Sequence, residues 1–132
     1  MGAWGVGAFE NDDASDWIYL LEEAGDLRLL RDTLLAAAEP DGYLEASTCS
    51  EALAAAEVAA ALAGRPAPDL PEEVRTWVGA HRGAAVGELK DLSVRAVDQV
   101  AADSELKELW AESDENGIWV DRIQELRSRL TA

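Results

Sequence analysis

The sequence predicts an all-α protein, a compact bundle of about six to seven helices, because apolar residues recur three and four positions apart along most of it. No stretch alternates apolar and polar residues over the length of a convincing strand. Glycine and proline clusters separate the helical stretches. A chain of 132 residues is one domain's worth. We therefore expect residues 1–132 to form a single all-α domain.

The first helix is predicted from Asp12 to Ala24. Asn11 or Asp12 can cap its start, and the acidic residues of its first turn suit the positive end of the helix dipole. Gly25 supplies a stop. Its expected buried stripe consists of apolar residues at helical spacing, namely Trp17, Ile18, Leu20, Leu21 and Ala24.

The second helix is predicted to start at a cap by Asp26 and to end at Pro40. The third is predicted to start at a cap in the Ser47-Thr48 region and to run to about Ala63. Alanine dominates this third helix, so neighbouring helices can approach its backbone closely. We interpret it as the central helix of the bundle.

The proline-rich stretch 64–71 is interpreted as a stiff loop within the domain. A fourth helix through Trp77 is expected after it, then a long fifth helix and a short segment over Glu105–Trp110. The last helix places apolar residues at spacings of four, three and four, at Trp119, Ile123, Leu126 and Leu130.

The opening seventeen residues have a density of glycines, aromatics and acids that is found nowhere later in the chain. Glycines at positions 2, 5 and 7 permit close backbone approach, which lets neighbouring aromatic rings turn inward. We expect this segment to pack on the bundle. The predicted structural anchors of the whole chain are its large aromatic residues Trp4, Phe9, Trp17, Trp77, Trp110 and Trp119.

The charge is strongly negative, because 11 basic residues stand against 27 acidic ones and leave a net charge of −16. Nucleic acid is a poor partner for such a field, and anionic membrane surfaces repel it. The field would instead steer a basic protein or a cation toward the chain. The alternative is that the acidity only keeps the protein in solution.

No catalytic constellation stands out in the sequence. Cys49 is the single cysteine and has no neighbouring base or cation, and His81 is the single histidine, with no second ligand at metal-binding spacing. We therefore expect no enzyme activity and no cofactor or metal. The chain shows neither a leader pattern nor an apolar run long enough to span a membrane, which favours a cytoplasmic location.

Acidic residues near the predicted start of the bundle and on the central helix form the candidate ligand or partner surface. Those at the N-terminus could hold a hard cation together with backbone carbonyls, although capping and dipole compensation explain most of them without a ligand. The central-helix pair diverges by about 120° around the axis, so it does not form a clear carboxylate pair. The candidate residues are Asn11, Asp12, Asp13, Asp16, Glu51 and Glu57.

Two further acidic groups resemble the carboxylate spacings with which all-helical nucleotide pyrophosphatases hold magnesium. The first comprises Glu22, Glu23 and Asp26, and the second comprises Glu88 and Asp91. Gly25 interrupts the first group, so Asp26 should not lie one turn from Glu22 on the same face. A magnesium enzyme is the less favoured interpretation.

Several stretches resemble the DUF4259 family of small uncharacterised bacterial proteins. They are the opening Met-Gly-Ala-Trp-Gly-Val-Gly-Ala-Phe-Glu-Asn-Asp-Asp-Ala-Ser-Asp-Trp, Glu-Ala-Leu-Ala-Ala-Ala-Glu-Val (51–58), Leu-Pro-Glu-Glu-Val-Arg-Thr-Trp (70–77) and Ser-Glu-Leu-Lys-Glu-Leu-Trp (104–110). The resemblance covers essentially the whole chain. It implies a bacterial protein and supplies no catalytic residues, since the function of that family is unknown.

Two hypotheses for function follow. The first is an acidic, non-enzymatic interaction protein that binds a basic protein partner, of which an immunity protein that neutralises a toxin is one form. The second is a carboxylate-based metal enzyme or a small-ligand-binding protein that uses the N-terminal loop. A pocket lined by Asp12, Asp16, Glu51 or Glu57 would favour the second, and a flat acidic surface the first. The sequence leaves the oligomeric state open.

Overall fold

A computed structural model describes residues 5–132 and confirms the all-α class. The predicted anchor Trp4 lies outside the described residues. Within residues 5–132 the chain forms seven helices: α1 (Asp12–Glu23), α2 (Arg28–Ala38), α3 (Ala46–Leu62), α4 (Glu72–Ala80), α5 (Gly87–Ala102), α6 (Glu105–Ala111) and α7 (Asn116–Thr131).

Helix α3 lies at the centre and contacts each of the other six helices. It is apolar on nearly all sides, the pattern of a helix that is surrounded by protein. Its small side chains let the flanking helices, above all α2 and α5, approach its backbone. The buried alanines of this helix are Ala52, Ala54, Ala55, Ala56, Ala59, Ala60 and Ala61.

One continuous cluster of buried side chains draws on all seven helices. Two of its tryptophans also tie elements together by hydrogen bonds. The Trp17 Nε1–H donates to Thr33 Oγ1 across the α1–α2 hairpin at 3.1 Å, and the Trp77 Nε1–H donates to the Ala24 carbonyl at 2.9 Å. Each ring thus fills apolar space and satisfies its one polar atom.

Two helix starts differ from the sequence predictions. Helix α3 begins at Ala46, before Ser47 and Thr48, and its first N–H group is capped from a distant helix. Glu105 at the start of α6 accepts a hydrogen bond from Ala46 N at 2.7 Å, and its own N–H donates to the Leu44 carbonyl at 2.9 Å. A partner 59 residues away cannot be recognised from a local capping pattern.

The other difference is at α2, which begins at Arg28 after an N-cap at Leu27 without side-chain capping. Asp26 instead accepts a hydrogen bond from Arg28 N at 2.9 Å. At α1 the expected cap is present, because Asn11 Oδ1 accepts from Ala14 N at 2.8 Å. None of the helices found in residues 5–132 is both long enough and apolar enough to cross a bilayer.

Candidate functional site

The solvent side of α1 carries carboxylates together with exposed apolar side chains. Tyr19 is 69% exposed and Leu20 is 54% exposed, although Leu20 was predicted to be part of the buried stripe. The prediction for Leu20 was wrong because helical spacing alone makes the stripe too wide. We name as the α1 outer face the exposed residues Asp12, Asp16, Tyr19, Leu20 and Glu23.

The α1 outer face is a continuous strip. At 100° per residue its members fall within an arc of about 100°, and the buried residues Ala14, Trp17, Ile18 and Leu21 occupy the opposite side. The helix contains no basic residue. Its negative charge therefore faces solvent without a compensating cation from the same helix.

A cleft with a volume of about 660 Å³ lies on another side of the bundle. The N-terminal loop, residues 5–11, forms one wall, and α3, the loop 67–69, α6 and α7 form the others. Among the candidate residues, Asn11, Asp13 and Glu57 line this cleft, whereas Asp12, Asp16 and Glu51 do not. The structure thus divides the predicted surface: Asp12 and Asp16 lie on the α1 outer face, the three lining residues lie at the cleft, and Glu51 belongs to neither.

The floor of the cleft is apolar. Trp110 of α6 and Trp119 of α7 stack with their ring centroids 6.4 Å apart, and their planes are inclined by 14°. Further apolar side chains line the cavity between them and the N-terminal loop, namely Val6, Phe9, Leu53, Leu106, Leu109, Ile123 and Leu126. An apolar floor with polar groups at its edge is typical of ligand-binding cavities.

The glycines of the N-terminal loop make room for the carboxylate of Glu10. The Gly7 N–H donates to Glu10 Oε1 at 3.0 Å, and the Glu10 N–H donates to the Gly7 carbonyl at 3.0 Å. A Cβ atom added at Gly5 would lie 2.4 Å from Glu10 Oε2, and one at Gly7 would lie 2.5 Å from Glu10 Oε1. The absence of side chains at both positions therefore lets this carboxylate fold back over the loop.

Glu57 forms a nearly buried ion pair with Arg129 at one end of the cleft. The guanidinium donates to both Glu57 oxygens, at 2.9 and 3.0 Å, and also to both oxygens of Glu125. It further donates to the Arg65 carbonyl at 3.2 Å. This network joins α3, α7 and the loop that follows α3.

Burial and charge act on this network in opposite directions. Burial raises the pKa of Glu57, and the hydrogen bonds and charge of Arg129 hold that rise back. The hydrogen bond from Arg129 lowers the pKa of Glu125, which is far more exposed. Because Glu57 is bonded through both oxygens to a cation, we assign it a structural role in positioning α7 against α3.

Glu51 is half-buried near Asp13, whose charge acts on it. The pKa of Glu51 is raised, first by burial and then by the negative charge of Asp13. The two central-helix carboxylates thus point to different surroundings, as their angular separation predicts. Within residues 5–132 no group of three or more histidine, cysteine or acidic side chains is placed to hold a metal ion.

The remaining candidates for chemistry have packing roles in the described structure. His81 stacks on Trp77 with ring centroids 3.9 Å apart, and its Nδ1 contacts the Trp77 carbonyl at 2.8 Å. Cys49 is buried at the start of α3, and burial raises the pKa of its thiol. Asp26 lies beyond the end of α1 and bonds to Arg28 N, so it does not share a helix face with Glu22.

Sequence reasoning missed four residues that shape these surfaces. Glu10 was not singled out, although it follows two closely spaced glycines. Arg129 and Glu125 stand four residues apart on α7, a spacing typical of a helical ion pair, but their link to Glu57 spans 72 positions and leaves no local pattern. Ser50 directly precedes Glu51, the first of the two recognised acids of α3, and lines the cleft.

Comparison with known sequences settles the relationship that the motifs suggest. The sequence model described as Domain of unknown function (DUF4259) matches residues 2–122 of the chain. The chain belongs to this family. The match spans the N-terminal loop, all of α1 to α6 and the beginning of α7, so it includes most of both surfaces described above. Beyond the DUF4259 match, no curated protein and no solved structure was found to match the chain.

Proposed function

We propose that this DUF4259 protein is a non-enzymatic binding protein and that its α1 outer face holds a basic protein partner. The observation that carries the proposal is the combination, on one face of α1, of three exposed carboxylates and two exposed apolar side chains, in a helix with no cation. Binding of this kind needs no cofactor. An immunity protein that neutralises a basic toxin in the cytoplasm of a bacterium would be one form of it.

Charge complementarity supports a basic occupant for this face. The whole chain carries −16, so a cationic surface is attracted from a distance before any contact forms. Asp12, Asp16 and Glu23 then lie beside the apolar contacts and can pair with lysine or arginine of the partner. A neutral or acidic partner would leave these carboxylates desolvated without compensation.

Tyr19 and Leu20 supply the apolar part of the proposed contact. Tyrosine is enriched in protein interfaces and among the residues that dominate binding energy, because it offers a large rigid surface with one polar atom. More than half of each side chain is exposed to water on a face that is otherwise charged, so folding gains little from them. We assign Tyr19 the main apolar contact, since along the helix it lies one turn after Asp16 and one turn before Glu23.

The test is capture from a lysate of the source organism, followed by identification of the captured protein and measurement of its affinity. We expect a basic partner whose affinity falls as salt rises from 0.05 to 0.5 M, because the Debye length shortens from about 14 to about 4 Å. Tyr19→Ala should weaken binding about tenfold or more. Neutralisation of Asp12, Asp16 and Glu23 to their amides should mainly slow association.

A matched control separates this face from general acidity. Glu72, Glu73 and Glu112 are exposed acids on other elements, and two of them also lie in the first turn of a helix. Their conversion to glutamine changes the net charge by the same three units. Equal losses of affinity in the two triple variants, or a captured partner that is indifferent to salt, would contradict the proposal.

A further inference from the structure

The cleft beneath the N-terminal loop is not used by the proposed partner surface. Its volume of about 660 Å³ lies within the range of roughly 300–1,000 Å³ that is typical of small-molecule sites. Its apolar floor, with Trp110 and Trp119 stacked beneath it, suits a planar or aliphatic body. The charge of the residues around the cleft decides which polar group such a ligand must carry.

The rim of the cleft is negative. The lining residues include six carboxylates and only two guanidinium groups, which leaves a formal charge of −4. Arg129 is already shared by Glu57 and Glu125, and Arg122 lies 3.8 Å from Asp69. Three lining carboxylates form no ion pair with any described residue: Glu10, Asp13 and Glu105. They lie along the side of the cleft that is formed by the N-terminal loop and the starts of α1 and α6.

A second observation at the same cleft is independent of charge. Ser50 of α3 lines the cleft and is only 6% exposed. Its hydroxyl takes part in none of the hydrogen bonds formed among residues 5–132, whereas the buried Ser104 hydroxyl donates to the Val100 carbonyl at 2.7 Å. A hydroxyl of this kind at a cavity wall is a ready acceptor or donor for a ligand.

We propose that the cleft binds an amphipathic organic cation, a protonated amine attached to an apolar body. The body occupies the floor between α6 and α7, and the ammonium group lies at the rim near Glu10 and the Ser50 hydroxyl. An ammonium group has three donors and no acceptor, which matches carboxylates and a hydroxyl oxygen. The inference is separate from the α1 outer face and concerns a different set of side chains.

The spread of the carboxylates favours an organic cation over a metal ion. A hard cation needs several oxygen ligands at about 2.0–2.6 Å from one point. No such convergence of three acidic, histidine or cysteine groups exists in the part of the chain that the structure describes. Carboxylates distributed around an apolar floor instead create a broad negative potential, which a larger cation with an apolar part can use.

The direct test uses three probes with the same indole ring: tryptamine, which is cationic, tryptophol, which is neutral, and indole-3-propionate, which is anionic. Binding to the full chain is measured by isothermal calorimetry at low and moderate salt. We expect tryptamine to bind about tenfold more tightly than tryptophol, and indole-3-propionate to show no saturable binding. The preference for tryptamine should shrink as salt rises.

Variants locate the binding site. Glu10→Gln should weaken tryptamine binding by roughly tenfold and leave tryptophol binding nearly unchanged. Ser50→Ala should weaken tryptamine binding by less than that. Gly7→Ala should reproduce the Glu10→Gln result, because the new methyl group displaces the Glu10 carboxylate. Glu22→Gln removes one exposed carboxylate outside the cleft and should change nothing. Thermal unfolding checks that each variant is folded.

Several outcomes overturn the inference. Equal affinity for tryptamine and tryptophol would show that the carboxylates of the rim do not select a cation. Absence of saturable tryptamine binding would show that the cleft does not bind this class of ligand. Tryptamine binding that appears only in the Trp4→Ala variant would show that an indole ring of the chain itself, and not a separate ligand, is the natural occupant of the cleft. Amide substitutions on the α1 outer face should leave tryptamine binding intact, so failure of the partner proposal and failure of this one are distinguishable.

Discussion

Replacement of Arg129 by methionine is expected to destabilise the fold far more than the same change at Arg127, two positions away on α7. Both guanidinium groups bind a carboxylate through two nitrogen–oxygen contacts: Arg129 to Glu57 at 2.9 and 3.0 Å, and Arg127 to Asp98 at 2.7 and 3.2 Å. The pairs differ in burial. The side chains of Arg129 and Glu57 are 14% and 10% exposed, and those of Arg127 and Asp98 are 40% and 49% exposed.

The magnitude follows from what each variant leaves behind. Arg129→Met leaves the Glu57 carboxylate buried without its cation, and loss of one partner of a buried pair costs about 3–5 kcal/mol. Arg127→Met leaves Asp98 in water, where an ion pair contributes at most about 1 kcal/mol. The double variant Glu57→Met with Arg129→Met should recover much of the loss, because it removes the uncompensated charge together with its partner.

Urea unfolding followed by circular dichroism measures these differences at pH 7. Burial raises the pKa of Glu57 in the folded protein, and removal of Arg129 leaves that effect unopposed. The folded variant therefore takes up a proton before the unfolded chain does, so its stability relative to the wild type rises as the pH falls from 7 toward 5. Equal costs for Arg129→Met and Arg127→Met, or a cost that grows toward acid pH, would refute the reasoning.

Three further predictions concern single side chains. The hydrogen bond from the Tyr43 hydroxyl to Glu108 raises the pKa of Tyr43 to about 12, so an absorbance titration should show a tyrosine that ionises late, and Tyr43→Phe should remove that transition. Cys49 is buried with a raised pKa, so it should react with a thiol reagent only when the protein unfolds in urea, and rapid native-state labelling would be inconsistent with its burial. The sequence predicts that Trp4 is a structural anchor, so Trp4→Ala should lower the free energy of unfolding by about 3–5 kcal/mol. A variant with the wild-type urea midpoint would show that prediction to be wrong.

The sequence predicts the helices well because each one has a local cause. The spacing of Trp17 and Leu21 marks the buried side of α1, and the cap at Asn11 lies within three residues of the N–H it binds. The density of alanine in α3 identifies the helix that the others surround. The fold class and the family could therefore be predicted without any tertiary information.

The sites are harder to predict because their decisive contacts are long-range. Glu57 carries no local sign of its link to Arg129, and Ala46 receives its capping acceptor from Glu105 in another helix. The exposure of Leu20 depends on which neighbours reach α1, which periodicity does not encode. Only the tertiary arrangement separates the acids of the α1 outer face from those of the cleft.

The alanine surface of α3 has a consequence for how movement could pass through this protein. A leucine or methionine core can absorb a small displacement by changing rotamers, but alanine has no rotamers to change. A shift of α2 or α5, the helices that approach the backbone of α3 most, would therefore be transmitted as translation or rotation of whole helices. We therefore expect this protein to respond to binding by movement of whole helices, with little repacking of side chains along α3.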